Sequence, residues 1–360
     1  MSGAPAGGGM LSLVAAMPDH LAASERLPGL DAVTFPGRRL RRVVLCGLGG
    51  SAVAGDLARP LVAAAGAQLT VWRDYDLPGW LDGGADDDAD DGQTLVVLSS
   101  YSGDTEETVA AARRVLGAGL PALAITSGGA LLALARAGNA RGRAVPAVVL
   151  PGGLPPRAAL GHGLGALLWA LHRAGVTPSP RDDLADAVAQ LRAGCARWLT
   201  PGDPAADAAP TALARALLGR FTAIFTTSAE AHGAGVRLRA QLNENAKHPA
   251  SLAEFPELDH NEIVGWEALR RRREAFALVI LRGGDEHPRT ARRVAITREL
   301  LAAEFHAVHE IVARGARPLT RVLSLVQQAD VVSCRLAEAA GVDPLPVVRI
   351  DALKARLREE

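Results

Sequence analysis

The chain has 360 residues, beyond the roughly 250–300 at which one hydrophobic core stops growing, so two α/β domains of ordinary size are expected. Its 39 basic and 39 acidic residues cancel, which removes the field that nucleic acid or an anionic membrane would need and leaves any bound anion to a local site. Cys46, Cys195 and Cys334 are scattered without a CxxC or Cys/His cluster, excluding a disulfide framework or structural zinc, and with no signal-type N-terminus or long apolar run a cytoplasmic protein is expected.

After an N-terminal helix, RVVLC (42–46), TLVVLSS (94–100), ALAIT (122–126) and AVVL (147–150) read as strands. The stretches GDLARPLVAAAG, TVAAARRVLGAG and ALLALARAG carry apolar residues at helical spacing and stop at Gly. That alternation predicts a parallel, doubly wound sheet. The acidic run DGGADDDADDG (82–92) would repel itself in a core and lacks calcium-loop spacing, so it reads as a solvated loop. At WLTPGDPAADAAP (198–210) the apolar period breaks, and the domain boundary is placed there, giving domains over 1–200 and 207–360. The alternation then resumes with AIFTT (223–227), a helix from about Ala231 to Asn243, AFALVIL (275–281), a helix through ARRVAITRELLAAE and AVHEIV (307–312). From Pro318 the tail is helical nearly to its end, broken by GVDPLP.

The first strand enters GLGGSAVAG, where Gly47, Gly49 and Gly50 allow close backbone approach and Ser51 opens a helix, an arrangement that suits either an anion or a tight turn. The second ends in SSYSGDTEETVAA, with the hydroxyls of Ser100, Ser102 and Thr105 where parallel sheets bind ligands. The same residues also read as a capping box, with Asp104 or Thr105 at the N-cap. GLGGSAVAGDL followed by SYSGDTEET resembles the sugar-isomerase (SIS) domain, a flavodoxin-like parallel sheet. The whole chain is similar to the bifunctional phosphoglucose/phosphomannose isomerases, which carry two such domains. This resemblance implies that Gly50, Ser51, Ser100, Ser102 and Thr105 hold the phosphate of a hexose 6-phosphate. Asp104 stands where that family usually has Asn.

Residue usage singles out a further segment. Only Lys247 and Lys354 among the 39 basic residues are lysine, and Asn243, Asn245 and Asn261 are three of the four asparagines. Arg replaces Lys freely on a solvated face but not where a compact ammonium is required. QLNENAKHPASLAEFPELDHNEIVGW places Glu244 between two Asn residues and His260 beside Asn261. On residue types alone Glu244 reads first as a helix-end residue and Asn245 as a C-cap. The resemblance reverses this order, because NENAK with ELDHNEIVGW matches the isomerases down to the Glu-to-His spacing. It implies Glu244 as the base for proton transfer between C1 and C2, and His260 as the ring-opening acid/base supplied by the partner subunit of a homodimer. It also implies Arg157, in LPPRAALGHGLG, against the enediolate oxygens and Lys354, in DALKARL, near the ring oxygen. His162 and His248 read as structural, and Arg270 to Arg273 as a solvated helix end. No metal or cofactor is expected. Leu345 in DPLP replaces the threonine common in the family, a departure that bears on epimer choice. The rival readings are a non-catalytic sugar-phosphate sensor and the isomerase half of an amidotransferase; the first need not keep Glu244, Arg157, His260 and Lys354 together, and the second needs an N-terminal nucleophile domain.

Overall fold

The computed structural model describes residues 9–82, 93–140, 142, 145–199 and 208–359. Most of the acidic run and the linker between the halves lie outside these ranges, and so do the readings made for them.

The first half builds a sheet from β1 (Arg42–Cys46), β2 (Gln68–Trp72), β3 (Thr94–Ser99), β4 (Ala122–Thr126) and β5 (Ala147–Val149), all parallel, in the order β2-β1-β3-β4-β5. Valine, leucine and isoleucine run through the inner strands because both faces are covered. The second half repeats the order with β6 (Phe221–Thr226), β7 (Ala250–Glu254), β8 (Phe276–Arg282) and β9 (Ala307–Val312), arranged β7-β6-β8-β9 and again parallel. Both sheets reverse their winding beside the first strand, between β1 and β3 and between β6 and β8, which is where open α/β sheets present a ligand crevice at the strand carboxyl ends. The sequence reading missed β2 and β7. Each is an edge strand with one neighbour, and their sequences, QLTVW and ASLAE, bury only one residue between them, so neither carries the apolar run of an inner strand.

Helices bind the halves together. One apolar cluster runs from Leu45, Val97 and Ile125 of the first sheet through Leu57, Leu164 and Leu323 to Ile224, Val279 and Leu281 of the second. Separate clusters cover the outer faces of the two sheets, around Val96 and Leu131 and around Phe225 and Phe305. With the α-helices of the described residues numbered in chain order, those between them are α3 (Gly49–Ala64), α7 (Leu160–Arg173), α10 (Ala229–Ala246) and α13 (Pro318–Ala339). The last of these is almost wholly buried, yet carries Gln327, Asp330 and Ser333 inward at helical spacing. Among the described residues no helix is long and apolar enough to cross a membrane.

Candidate active site

At the carboxyl end of β1 the chain turns directly into α3, whose N-cap, Leu48, offers no side-chain acceptor. Beside it, β3 leads through residues 100–105 into a helix, Glu106–Ala118, which also begins without a side-chain cap. The capping-box reading of Thr105 therefore does not hold. Its hydroxyl lies 2.7 Å from that of Ser100, and Ser100 Oγ accepts from the Gly103 amide at 3.0 Å. Two helix N-termini lie side by side here, with hydroxyls turned into the loop, and such termini offer N–H groups that suit an anion without a basic side chain.

The loop is held tightly. Ser51 Oγ accepts from the Tyr101 amide at 3.2 Å, joining the two turns. The Tyr101 hydroxyl donates to Pro151 O at 2.9 Å and accepts from the Leu154 amide at 3.0 Å, fixing the segment that leads to Arg157. Gly103 has φ +78°, and a Cβ there would meet Gly128 O at 1.8 Å, so only glycine fits. Asp104 accepts from the Ala130 amide at 2.8 Å, at the start of the next helix (Gly129–Ala140). That bond asks only for an oxygen, which a carboxylate supplies as well as an amide does.

Arg157 sits in a 3-10 turn, Pro156–Ala159, and is 4 % exposed. A Cβ on Gly50 would come within 3.1 Å of Pro156 O and 3.4 Å of Arg157 Cα, so the glycine turn packs directly on this arginine. Its Nε donates to Asn245 Oδ1 at 2.8 Å, and Nη2 donates to Pro344 O and Leu345 O at 2.7 and 2.9 Å. Nη1 lies 3.7 Å from Glu244 Oε2, an ion pair beyond hydrogen-bond distance. Burial lowers the Arg157 pKa, with Glu244 opposing the shift and Arg237 adding to it. A guanidinium nonetheless stays charged at neutral pH.

Glu244 is in the last turn of α10, which runs three residues past the predicted end, and its side chain is 27 % exposed. Asn245 is no C-cap. It is wholly buried, and its amide donates to Ser333 Oγ at 2.9 Å, so it joins Arg157 to α13. A buried bidentate pair, Arg237 with Asp330 at 2.9 Å, donates in addition to the carbonyl of Arg157 at 2.8 Å. Sequence reasoning missed this support. The one available signal is the polar spacing Gln327, Asp330, Ser333 on an otherwise apolar helix.

His260 and Lys354 stand apart from this group. His260 is exposed in the turn Glu257–His260, whose neighbour Asp259 is tied to Arg293 and Thr297 at 3.1 and 2.8 Å. Lys354 is exposed on α14 (Val348–Leu357), a helix with no buried residue and with Ile350, Leu353 and Leu357 open along one face. Among the described residues neither bonds to Arg157, Glu244 or the hydroxyl loop. His162 stacks on His20 at 4.0 Å between centroids, and His248 bonds to Thr222 at 2.8 Å, both inside the fold.

The equivalent strand ends of the second sheet are filled. Ser228 Oγ caps α10 through the Ala231 amide, and the helix after β8, α12 (Pro288–Leu301), is capped by His287 Nδ1. Between them Glu286 takes hydrogen bonds from Thr227 and Arg282. Among the described residues no group of three His, Cys, Asp or Glu could hold a metal ion.

The chain is similar to known proteins along most of its length. The family described as "Bacterial phospho-glucose isomerase C-terminal SIS domain" matches residues 206–357. A bifunctional phosphoglucose/phosphomannose isomerase of Caldicellulosiruptor bescii is 32 % identical over 97 % of this chain and 99 % of its own. One of the same description from Aquifex aeolicus is 33 % identical over 88 % of this chain and 90 % of its own. Among solved structures, the tagatose-6-phosphate ketose/aldose isomerase of Escherichia coli superposes with a TM-score of 0.67 over 95 % of both chains at 18 % identity. A hypothetical protein of Thermus thermophilus superposes with a TM-score of 0.71 over 98 % of this chain and 91 % of its own, also at 18 % identity. These two likenesses speak for the fold alone.

Proposed function

Because the chain belongs to the bifunctional phosphoglucose/phosphomannose isomerase family, we propose that its open strand ends form the active site for aldose-ketose isomerisation of hexose 6-phosphates. The enzyme interconverts glucose 6-phosphate with fructose 6-phosphate, an intramolecular oxidoreduction in which one hydrogen moves between C2 and C1. In our reading the phosphate rests on the two uncapped helix N-termini, with the hydroxyls of Ser51, Ser100, Ser102 and Thr105 around it and Gly50 leaving room for the backbone. Glu244 takes the proton from C2 and returns it to C1, and Nη1 of Arg157 holds the enediolate oxygens as charge develops. The observation that carries this reading is the convergence on Arg157: the anion turn packs on its backbone, and the carboxylate lies 3.7 Å from its guanidinium.

Ring opening needs an acid/base that this cluster lacks. We assign it to His260 of a second subunit, since a braced turn presenting an exposed imidazole suits delivery across an interface. The unburied apolar face of α14 supports a homodimer, which would also cover the helix bearing Lys354, the residue we place near the ring oxygen. A cytoplasmic location fits phosphorylated sugar substrates. The test is a coupled assay on fructose 6-phosphate that follows glucose 6-phosphate and mannose 6-phosphate separately. Turnover to at least one aldose is expected; saturable binding without turnover of either would leave a sugar-phosphate sensor.

A further inference from the structure

Residues 343–346 offer four consecutive carbonyls to two cations. The outer pair, Asp343 O and Pro346 O, accept from Lys247 Nζ at 2.8 and 2.9 Å. The inner pair, Pro344 O and Leu345 O, accept from Arg157 Nη2. Lys247 Nζ also donates to Glu244 O at 2.8 Å, with Asn245 O at 3.4 Å, so one ammonium ties the end of the helix bearing Glu244 to the segment that flanks Arg157. Neither cation holds this collar alone.

The backbone at Lys247 is as unusual as its side chain. It ends α10 at φ +53° and is the single non-glycine residue with positive φ among the described residues. Glycine or asparagine fills such a C-terminal position at lower cost. A lysine held there, in a chain with only two lysines, points to a requirement for the ammonium itself. No single arginine nitrogen carries more than two N–H bonds, so none could serve Glu244 O, Asp343 O and Pro346 O together as the three N–H bonds of an ammonium do. Desolvation and the like charge of Arg157 both lower the Lys247 pKa, so the ammonium is kept there at some electrostatic cost.

We propose that Lys247 is a positioning residue for the isomerisation: by holding the 343–346 collar it fixes the acceptors of Arg157 Nη2 and thereby aims Nη1 at the reacting carbons. The proposal rests on the roles given above to Arg157 and Glu244. With Nε on Asn245 and Nη2 on the collar, Nη1 is the nitrogen left facing Glu244. Without the ammonium the collar loses both outer anchors, and the guanidinium is free to turn.

Lys247→Gly tests this, because it keeps the left-handed backbone while deleting the ammonium. The thermal midpoint is expected to hold or rise and the KM for fructose 6-phosphate to stay within about threefold, while kcat falls roughly 10- to 100-fold as Arg157 loses its aim. In an Arg157→Gln background the same substitution is expected to change kcat by less than about twofold, since Lys247 acts through that side chain. An unchanged kcat in the single variant, or equal fold losses in the two backgrounds, would overturn the proposal. A crystal structure of Lys247→Gly supplies a readout independent of turnover: Arg157 is expected to leave Pro344 O and Leu345 O, and an unmoved guanidinium also overturns the proposal. Inactivity of the unaltered enzyme would instead count against the isomerase reading.

Discussion

The two halves share a strand order and differ in how their strands end. In the first half, the helices after β1 and β3 start without side-chain caps, and the nearby hydroxyls of Ser100 and Thr105 bond to one another. In the second half, the helices after β6 and β8 are capped by Ser228 and His287, and Glu286 occupies the space between with Arg282 and Thr227. One framework thus leaves the first-turn N–H groups without side-chain acceptors in the half where we propose the anion site, and satisfies them with side chains in the other. The second half contributes to the site instead through the far end of α10, where Glu244 and Asn245 meet Arg157.

Acid sharpens this contrast, and by the largest expected margin. His162, buried and stacked on His20, is held down to about 4 by desolvation, with the neighbouring imidazole adding to the effect. Because its folded pKa lies below the unfolded value near 6.5, its contribution is complete above pH 6.5 and is lost as pH falls toward 4. Glu286 loses its contribution in the same direction but at lower pH. Burial would raise it, but the bonds from Arg282 and Thr227 outweigh that and leave it below the usual carboxylate value, so its contribution survives until pH falls below about 4.5. Urea unfolding is therefore expected to show a loss of about 1–3 kcal/mol between pH 7 and 5, reduced in His162→Phe, with His20, His248 and His309, also lowered by burial, supplying the remainder. A loss of the same size in that variant would place the acid-sensitive group elsewhere.

A matched pair of substitutions can break the comparison. Ser100→Ala is expected to raise the KM for fructose 6-phosphate roughly 10- to 100-fold, the loss of a hydrogen bond to a charged ligand, with a smaller effect on kcat. Its counterpart, Ser228→Ala, removes a helix cap, so it should cost about 1 kcal/mol of stability by urea unfolding and leave KM unchanged. If Ser228→Ala raised KM as Ser100→Ala does, the second half would hold an anion too.

The inner strands of both sheets were legible because burial on two faces demands apolar runs, and the edge strands β5 and β9 through their valine and isoleucine, whereas β2 and β7, which bury only Leu69 between them, carry no such run. The hydroxyl loop and the Gly turn were visible in the sequence, although the capping reading of Thr105 falls only with the structure, which shows no side-chain cap there. The grouping of Arg157 with Glu244 came from resemblance to a family, because nothing local links residues so far apart in the chain. Their support was illegible for the same reason: the Arg237–Asp330 pair and the carbonyls of 344 and 345 reach Arg157 from distant segments. Asn245 reads as a C-cap until the helix is seen to run one more turn.

The central claim is that Glu244 moves the proton at C2, and it is tested most directly by hydrogen exchange in deuterated water. The unaltered enzyme is predicted to place solvent deuterium at C2 of the aldose phosphate formed from fructose 6-phosphate. Glu244→Gln, which keeps the size of the side chain and the anion turn, is predicted to bind fructose 6-phosphate with similar affinity while losing exchange and turnover together by about three orders of magnitude or more. Exchange retained at the rate of the unaltered enzyme would mean that another group is the base.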